Sequence, residues 1–367
     1  MSDKRRRFRA IRDALGKMYS EEPKGNLARH LNTLAALVSG IVGSKRANFP
    51  AIAKEVPDGT KKESRVKRFH RWVKNDRIDV EMYFVPFAEI LLVSLSHRPL
   101  VLVMDGSAVG RGCIALVLGV VYKKRALPIA WIVVKGSKGH LPEDLHVALI
   151  EQIQPMIPPG AQVIFLGDGE FDGIALQATV NGLGWEYVCR TAKNTVLFED
   201  GEQFTFAELG IEPGDPPLSL PKVTFTHEKY GPVHAIAWWR EGCKEPIYLI
   251  TNMVLAEEAC DWYTKRFRIE TFFSDQKSRG FHLHKSHLDD PVRLARLMIA
   301  ACLAYIWIVY LGALAHLEGW IGVIHRTDRC DLSLFRLGLD LLDHFLDEGM
   351  PIPVAFAALE FELPLSY

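Results

Sequence analysis

The chain has 367 residues, of which 49% are hydrophobic and 24% are charged. This composition is typical of a globular protein with a large core, and it excludes a disordered chain. The formal net charge of zero hides an asymmetry, since residues 1–80 carry 20 Lys and Arg against 9 Asp and Glu, whereas residues 81–367 carry 24 against 35. A basic segment joined to an acidic body indicates a polyanion-binding part attached to a part with functional carboxylates.

The six cysteines show neither a CxxC pair nor the spacing of a zinc finger. This pattern predicts reduced thiols of an intracellular protein. The first residues, MSDKRRRFRAIRDALG, contain no apolar stretch, so we expect no secretory signal. Both features favour a cytoplasmic protein.

Residues 1–95 are predicted to be mainly helical. In TKKESRVKRFHRWVKND, the apolar residues Val66, Phe69 and Trp72 recur at helical spacing and form one face. Basic side chains cover the rest of this helix. Those that we take as candidate contacts to a DNA backbone are Lys61, Lys62, Arg65, Arg68 and Arg71. The alternative is a solvated basic helix without a ligand.

From residue 96 the pattern changes to that of a mixed α/β sheet. PLVLVMDGS is an apolar strand that ends in Asp105, and CIALVLGVVY and ALPIAWIVVKG are two further strands. A helix follows, then the strand QVIFLG that ends in Asp168, another helix and the strand WEYVCR. Open α/β sheets place their chemistry at strand ends, so both aspartates are candidates. Glu170 and Asp172 are alternatives to Asp168.

Residues 192–254 are rich in Gly, Pro, Thr and aromatic residues, and they predict a small inserted β subdomain. Arg190 and Lys193, after the strand WEYVC, are candidate DNA contacts, as are Lys135 and His140 nearer the start of the sheet. Helices are predicted over residues 256–279 and 289–317 and in a C-terminal region, 321–367. Residues 297–317 contain no charged side chain other than histidine. We expect a buried core helix there, with a membrane span as the alternative.

The segment DWYTKRFRIETFFSDQKSRG carries four polar side chains at helical spacing. At about 100° per residue, they lie within roughly a 60° sector of one helix. These side chains are Tyr263, Arg266, Glu270 and Lys277. Such a set suits contact with phosphates and a metal ion, provided that Asp105 and Asp168 meet the glutamate. Three carboxylates that meet suit catalysis by two divalent ions, and carboxylates are ligands that Mg²⁺ prefers.

The order Asp105, Asp168, Glu270 resembles that of DDE transposases with a ribonuclease-H-like fold. The spacing Y-x2-R-x3-E-x6-K is similar to the YREK signature of one insertion-sequence branch, the IS-four family. VMDGS, GDGEFDG, YKKRALPIAW and the strand-rich insertion before the glutamate also fit this branch. The resemblance covers roughly residues 60–315.

The resemblance implies a ribonuclease-H-like mixed sheet flanked by helices, with an inserted β-rich subdomain and a helical N-terminal DNA-binding region. The catalytic domain would comprise residues 96–191 and 255–320. Asp105, Asp168 and Glu270 would hold two Mg²⁺ or Mn²⁺ ions. The other three signature residues would grip phosphates near the terminal nucleotide.

The implied activity is cut-and-paste transposition. Nicking at transposon ends would be followed by hairpin formation and strand transfer into target DNA, by a homodimer acting on double-stranded DNA at the nucleoid. Trp238 or Trp239 of the insertion would stack on a flipped base, unless both belong to its core. Two alternatives remain open: a ribonuclease-H-like nuclease or resolvase without strand transfer, and a transposase-derived DNA-binding protein that has lost catalysis.

Overall fold

The structure is a computed structural model that describes residues 1–19, 21–137, 139, 141–326 and 331–361. Its first part is helical, as predicted, because apolar side chains recur there at helical spacing. The helices are α1 (Asp3–Gly16), α2 (Gly25–Ser44), α3 (Phe49–Glu55), α4 (Lys62–Lys74), α5 (Val80–Tyr83) and α6 (Val85–Leu95). Arg7 of α1 is buried and donates to Glu55 at 3.0 Å, which ties α1 to α3.

A mixed sheet follows in the predicted order of strands and helices. Its elements are β1 (Leu100–Gly110), β2 (Cys113–Tyr122), β3 (Arg125–Lys135), α7 (Glu143–Ile153), β4 (Val163–Gly167), α8 (Ile174–Gly182) and β5 (Glu186–Thr191). β1, β2 and β3 are antiparallel, whereas β4 runs parallel to β1 and to β5. The near-continuous apolar runs of β1, β2 and β4 agree with a sheet that is buried on both faces.

The strands of residues 192–254 continue the same sheet. They are β6 (Val196–Glu199), β7 (Glu202–Thr205), β8 (Leu218–Phe225), β9 (Tyr230–Trp238) and β10 (Ile247–Thr251). Because β10 pairs with β5 and β9, the sheet has ten strands in the order β3-β2-β1-β4-β5-β10-β9-β8-β6-β7. The insertion is therefore bonded to β5, the neighbour of β4, and extends the sheet that carries the candidate aspartates.

The last helices of the described chain are α9 (Ala256–Tyr263), α10 (Arg268–Gln276), α11 (Pro291–Leu317), α12 (Ile321–Ile324) and α13 (Leu334–Asp347). α11 is long and apolar enough to cross a membrane by length and composition. However, 94% of its most apolar window is buried inside the protein, where it packs against α2, α13 and β3. α11 is thus buried in the core, as predicted for residues 297–317.

The single helix expected over residues 256–279 is wrong, because the chain leaves the helix between α9 and α10. Thr264 donates its hydroxyl to the Asp261 carbonyl at 2.6 Å, and the backbone N–H of Arg266 bonds three residues back, to the Tyr263 carbonyl at 3.0 Å. Such side-chain bonds compete with helical ones, and bonds over three residues tighten the chain into a turn. The four signature residues therefore do not share one stripe: they lie at the end of α9, in the turn, in α10 and at its C-cap.

Two glycines allow α11 and α13 to touch through their backbones. A Cβ atom at Gly312 would overlap the Leu334 carbonyl, and one at Gly338 would overlap the Ile308 carbonyl. We expect Gly312→Ala to lower the free energy of unfolding by about 1–3 kcal/mol, because a backbone carbonyl cannot rotate away as a side chain can. Urea denaturation measures this loss. Gly182→Ala at the end of α8, where a Cβ meets nothing within 4 Å, is the control. Equal midpoints for the two variants would contradict the expectation.

Candidate active site

Asp105 lies on β1, and Asp168 directly follows the adjacent parallel strand β4. Val103 of β1 pairs with Leu166 of β4, and each aspartate is two residues further along the chain. The sequence predicted that β1 ends in Asp105. This prediction is wrong, because β1 continues along β2 as far as Gly110. Only its pairing with β4 ends before Asp105. Both carboxylates are therefore placed where β1 and β4 separate.

In the loop after β4, Asp168 and the two neighbouring acids have different partners. Asp168 Oδ1 accepts from the Glu170 backbone N–H at 3.0 Å, which fixes the carboxylate. The Glu170 side chain accepts from the Leu141 backbone N–H at 2.7 Å and lies 3.7 Å from His146 Nε2. Asp172 accepts from the Thr191 hydroxyl at 2.6 Å. Both alternatives thus have other partners.

Arg266 joins the third carboxylate to this pair. Arg266 Nη1 donates to Glu270 Oε1 at 2.9 Å, and Nη2 donates to Asp168 Oδ2. The guanidinium is buried, whereas 58% of the Glu270 side chain is exposed. The turn between α9 and α10 is what brings this arginine to the end of β4. One guanidinium thus bridges an aspartate after a strand and a glutamate on a helix.

The electrostatics show that the three carboxylates share one neighbourhood. Burial raises the pKa of Asp105 from 3.8 to about 6; Arg266 opposes this shift, and the charges of Asp168 and Glu270 add to it. Burial also disfavours the charge of Arg266, but Asp168 and Asp105 raise the pKa of its guanidinium above the ordinary value. The arginine therefore remains charged and partly neutralises the cluster.

Tyr263 and Lys277 complete the surroundings. Tyr263 is the last residue of α9, and burial raises its pKa to about 12, so its hydroxyl stays protonated near neutral pH. Lys277 caps α10, and its Nζ donates to the hydroxyl of Ser107, two residues beyond Asp105 on the same face of β1. Arg266 thus contacts Asp168 directly, Glu270 is linked to it through Arg266, and Lys277 bonds to Ser107 near Asp105.

A cavity of about 790 Å³ opens beside Asp168 and reaches the inserted strands. Its lining includes Asp168, Tyr263 and Arg266 on the signature side, and Arg190, Lys193, Trp239 and Tyr248 on the other. Trp239 donates its indole N–H to the Cys243 carbonyl at 3.0 Å. Trp238 is not part of the lining and lies in β9, with the Arg240 guanidinium 5.6 Å from its ring. The structure thus distinguishes the two tryptophans, which the sequence did not.

The basic side chains of α4 are not equivalent. Arg65 donates to the Asp58 carboxylate at 2.6 Å and to the Ala53 carbonyl at 2.9 Å, and Arg68 donates to Asp58 at 3.0 Å. Lys61, Lys62 and Arg71 are exposed. Arg71 and Arg68 line a groove of about 910 Å³ together with Arg12 of α1 and Arg29 of α2, two residues that the sequence reasoning missed. The groove depends on tertiary packing, so helical spacing within α4 gave no signal for it.

Of the two further candidates, Lys135 is not among the residues that line the cavity beside Asp168. Lys135 is exposed, and its Nζ donates to the Asp289 carbonyl. His140 falls outside the described residues.

The donor chemistry of the cluster fits divalent metal ions. Two aspartates and a glutamate supply the oxygen ligands that Mg²⁺ and Mn²⁺ prefer. In the described part of the chain, however, no group of three His, Cys, Asp or Glu side chains is gathered closely enough to hold a metal ion. The guanidinium of Arg266 lies between two of the carboxylates, Asp168 and Glu270.

The mixed ten-stranded sheet flanked by helices is consistent with a ribonuclease-H-like fold. The family model of the transposase DDE domain matches residues 105–307, more than half of the chain, and the chain belongs to this family. The protein is therefore a DDE transposase, which confirms the class predicted from the sequence. Among solved structures, a piggyBac transposase synaptic complex with hairpin DNA is similar, at a TM-score of 0.46 and 11% identity over 95% of this chain and 80% of that one. Among curated proteins, none matches the sequence.

The raised pKa of Asp105 predicts a pH-dependent stability. Between about pH 4 and pH 6 the folded state holds a proton on Asp105 that the unfolded state has lost, so this group makes stability fall as the pH rises. Asp105→Asn removes the ionisation. In EDTA, the unfolding free energy of the variant minus that of the wild type should increase by about 2 kcal/mol between pH 4 and pH 6.5. Above pH 6.5 this difference should stay constant. Urea denaturation across this range provides the measurement. A difference that does not change with pH would contradict the assigned burial of the charge.

Proposed function

We propose that this protein is a cut-and-paste DNA transposase of the YREK branch, the IS-four family. It would nick the transposon ends, form hairpins with the freed 3′-hydroxyls and, after hairpin opening, join the ends to target DNA. The observation that supports the proposal is the arrangement of Asp105 on β1, Asp168 directly after the parallel neighbour β4, and Glu270, which Arg266 links to Asp168. Without this arrangement of the carboxylates, the signature spacing would be only a pattern in the sequence.

In this proposal Asp105, Asp168 and Glu270 hold the catalytic metal ions. Bound Mg²⁺ or Mn²⁺ would lower the pKa of the attacking water or 3′-hydroxyl and stabilise the leaving oxygen. Arg266 offers its planar fork to a phosphate, and Lys277 offers a point charge. The protonated hydroxyl of Tyr263 is a donor for a phosphate oxygen at the wall of the cavity.

DNA is bound by two basic surfaces. Residues 1–95 contribute the groove of Arg12, Arg29 and Arg71, with Lys61 and Lys62 at the start of α4. Arg65 and Arg68 mainly hold Asp58 and so shape this region. Arg190 and Lys193 supply the second surface, beside the carboxylates. Because these contacts release counterions, DNA affinity falls steeply with salt.

The domain organisation follows from these roles. Residues 1–95 bind DNA, residues 96–191 and 255–320 form the catalytic domain, and residues 192–254 form the insertion. The C-terminal region, 321–367, contributes the helices α12 and α13. The enzyme acts in the cytoplasm on nucleoid DNA, as a homodimer that bridges two transposon ends.

Trp239 is the residue that stacks on the flipped base. It shares the cavity with Asp168 and Arg266, so a base in this cavity would lie next to the reacting strand. Trp238 lies outside the cavity and is tied to the β9–β10 pair, where it is opposite Ile247. Base–aromatic stacking is worth about 1–3 kcal/mol per base.

We expect Trp239→Ala to lower the rate of hairpin formation on end DNA about 5- to 150-fold, with a smaller effect on first-strand nicking. The reason is that only the hairpin step requires an extruded base. Single-turnover assays on labelled end DNA separate the two rates. Trp238→Ala is the matched control, with both rates close to wild type. A larger loss in the Trp238 variant would reverse the assignment.

The catalytic assignment is tested on a duplex that ends in the inverted repeat flanking the gene. Asp105→Ala, Asp168→Ala and Glu270→Ala should each reduce cleavage in Mg²⁺ at least about 1,000-fold, because removing one ligand disrupts the metal ions. Gel-shift assays should still detect DNA binding. Glu170→Ala, which keeps all three ligands, is the control and should retain cleavage. Retained cleavage in any of the three variants would remove that residue from the site.

The products separate the competing functions. Hairpins and joined products support transposition, whereas simple hydrolysis without either supports a nuclease or resolvase. Binding of end DNA without cleavage, in Mg²⁺ and in Mn²⁺, would indicate a transposase-derived protein that has lost catalysis.

A further inference from the structure

Arg266 occupies the centre of the carboxylate cluster in the DNA-free protein. Its relative exposure is 7%, and both of its terminal nitrogens are bonded to carboxylates, one to Asp168 and the other to Glu270. Its Nε is buried and has no hydrogen-bond partner. The hydrogen bonds given for the guanidinium thus run to the two carboxylates, and the centroid of the Phe267 ring lies 5.1 Å from its carbon.

The two carboxylate oxygens that Arg266 engages are needed for metal binding as well. Asp168 Oδ2 and Glu270 Oε1 face the guanidinium, so a divalent ion at these oxygens must displace it. Displacement into a buried position without a new partner is costly, because a buried charge that loses its partner is left without compensation for its lost hydration. The ion therefore binds easily only when the arginine has another anion to bind.

The adjacent cavity provides a place for that anion. Arg266 lines the cavity of about 790 Å³ together with Tyr263, Arg190 and Lys193, which supply further donors and positive charge. A phosphate diester presents two oxygens that match the fork of a guanidinium. Glu270 can lose its bond to Arg266 at little cost, because its side chain is largely exposed and water can replace the lost bond.

We propose that Arg266 closes the metal site in the DNA-free enzyme and that a DNA phosphate opens it. The phosphate in the cavity takes the guanidinium from Asp168 and Glu270, and the released carboxylates then attract the divalent ions. Metal and DNA consequently bind with positive cooperativity, and by linkage each raises the affinity for the other by the same factor. This inference rests on the proposed function, because it takes DNA to be the phosphate donor.

The test measures Mn²⁺ binding to the full chain by electron paramagnetic resonance, with and without the inverted-repeat duplex. Without DNA, Arg266→Ala should bind Mn²⁺ on the order of tenfold more tightly than wild type, and wild type should gain a similar factor when the duplex is bound. Arg266→Ala should show little further gain. The control is Arg336→Ala, which removes another arginine that pairs with an acid four residues later, Asp340 at 2.9 Å on α13. It should match wild type.

Equal or weaker Mn²⁺ binding by folded Arg266→Ala, as checked by circular dichroism, overturns the inference. If this variant does not fold, the wild-type comparison decides alone, and an Mn²⁺ affinity that is unchanged by bound duplex is then the contrary result. Failure of the proposed function looks different. A protein that shows the Mn²⁺ behaviour but never cleaves end DNA refutes the function, whereas one that cleaves ends without any coupling refutes only the role of Arg266.

Discussion

The separation of β1 from β4 after Val103 and Leu166 is the constraint on which the active site depends. Up to that point the two strands satisfy each other's backbone groups in a buried parallel pair. Beyond it, β1 follows β2 alone, and β4 turns away at Asp168. Two carboxylates are thereby brought level inside a sheet that would otherwise exclude charge. Burial there disfavours the charged form of Asp105 and raises its pKa, and a nearby cation is needed to offset this unfavourable burial of charge.

Arg266 supplies that cation, and the break between α9 and α10 makes this possible. Had the helix continued, the guanidinium would have stayed on the same stripe as Glu270, one turn away. Instead the turn lets it reach Asp168 while it still bonds to Glu270. The same break places Tyr263 at the wall of the cavity that the insertion shares. The pairing of β5 with β10 then brings the insertion close enough for Trp239 to line that cavity.

The order of strands and the place of Asp168 after β4 were predictable, because long apolar runs and the acids that follow them depend on local sequence; that β1 continues past Asp105 was not, because it depends on the pairing with β2. The break at Thr264–Phe267 was not predictable either. That segment contains neither proline nor glycine, and helical spacing describes residues only as long as the helix continues. The turn is stabilised by the Thr264 hydroxyl and by the ion pairs of Arg266, which depend on β4, about 100 residues earlier in the chain. The signature was recognisable, but its geometry required the tertiary structure.

The charge asymmetry of the sequence likewise needs the structure for its interpretation. Part of the positive excess in the first 80 residues is used within the protein, since Arg7 is buried on Glu55 and Arg65 is bonded to Asp58. The positive surface left for a polyanion is the groove between α1, α2 and α4, together with the exposed start of α4. The acidic excess is divided in a similar way between surface acids and the cluster that Arg266 neutralises. In the groove, Arg12 pairs with Asp13, an acid that we do not assign to the metal site. Arg266 instead pairs with two proposed metal ligands, so a phosphate that binds this arginine also changes what the carboxylates can bind.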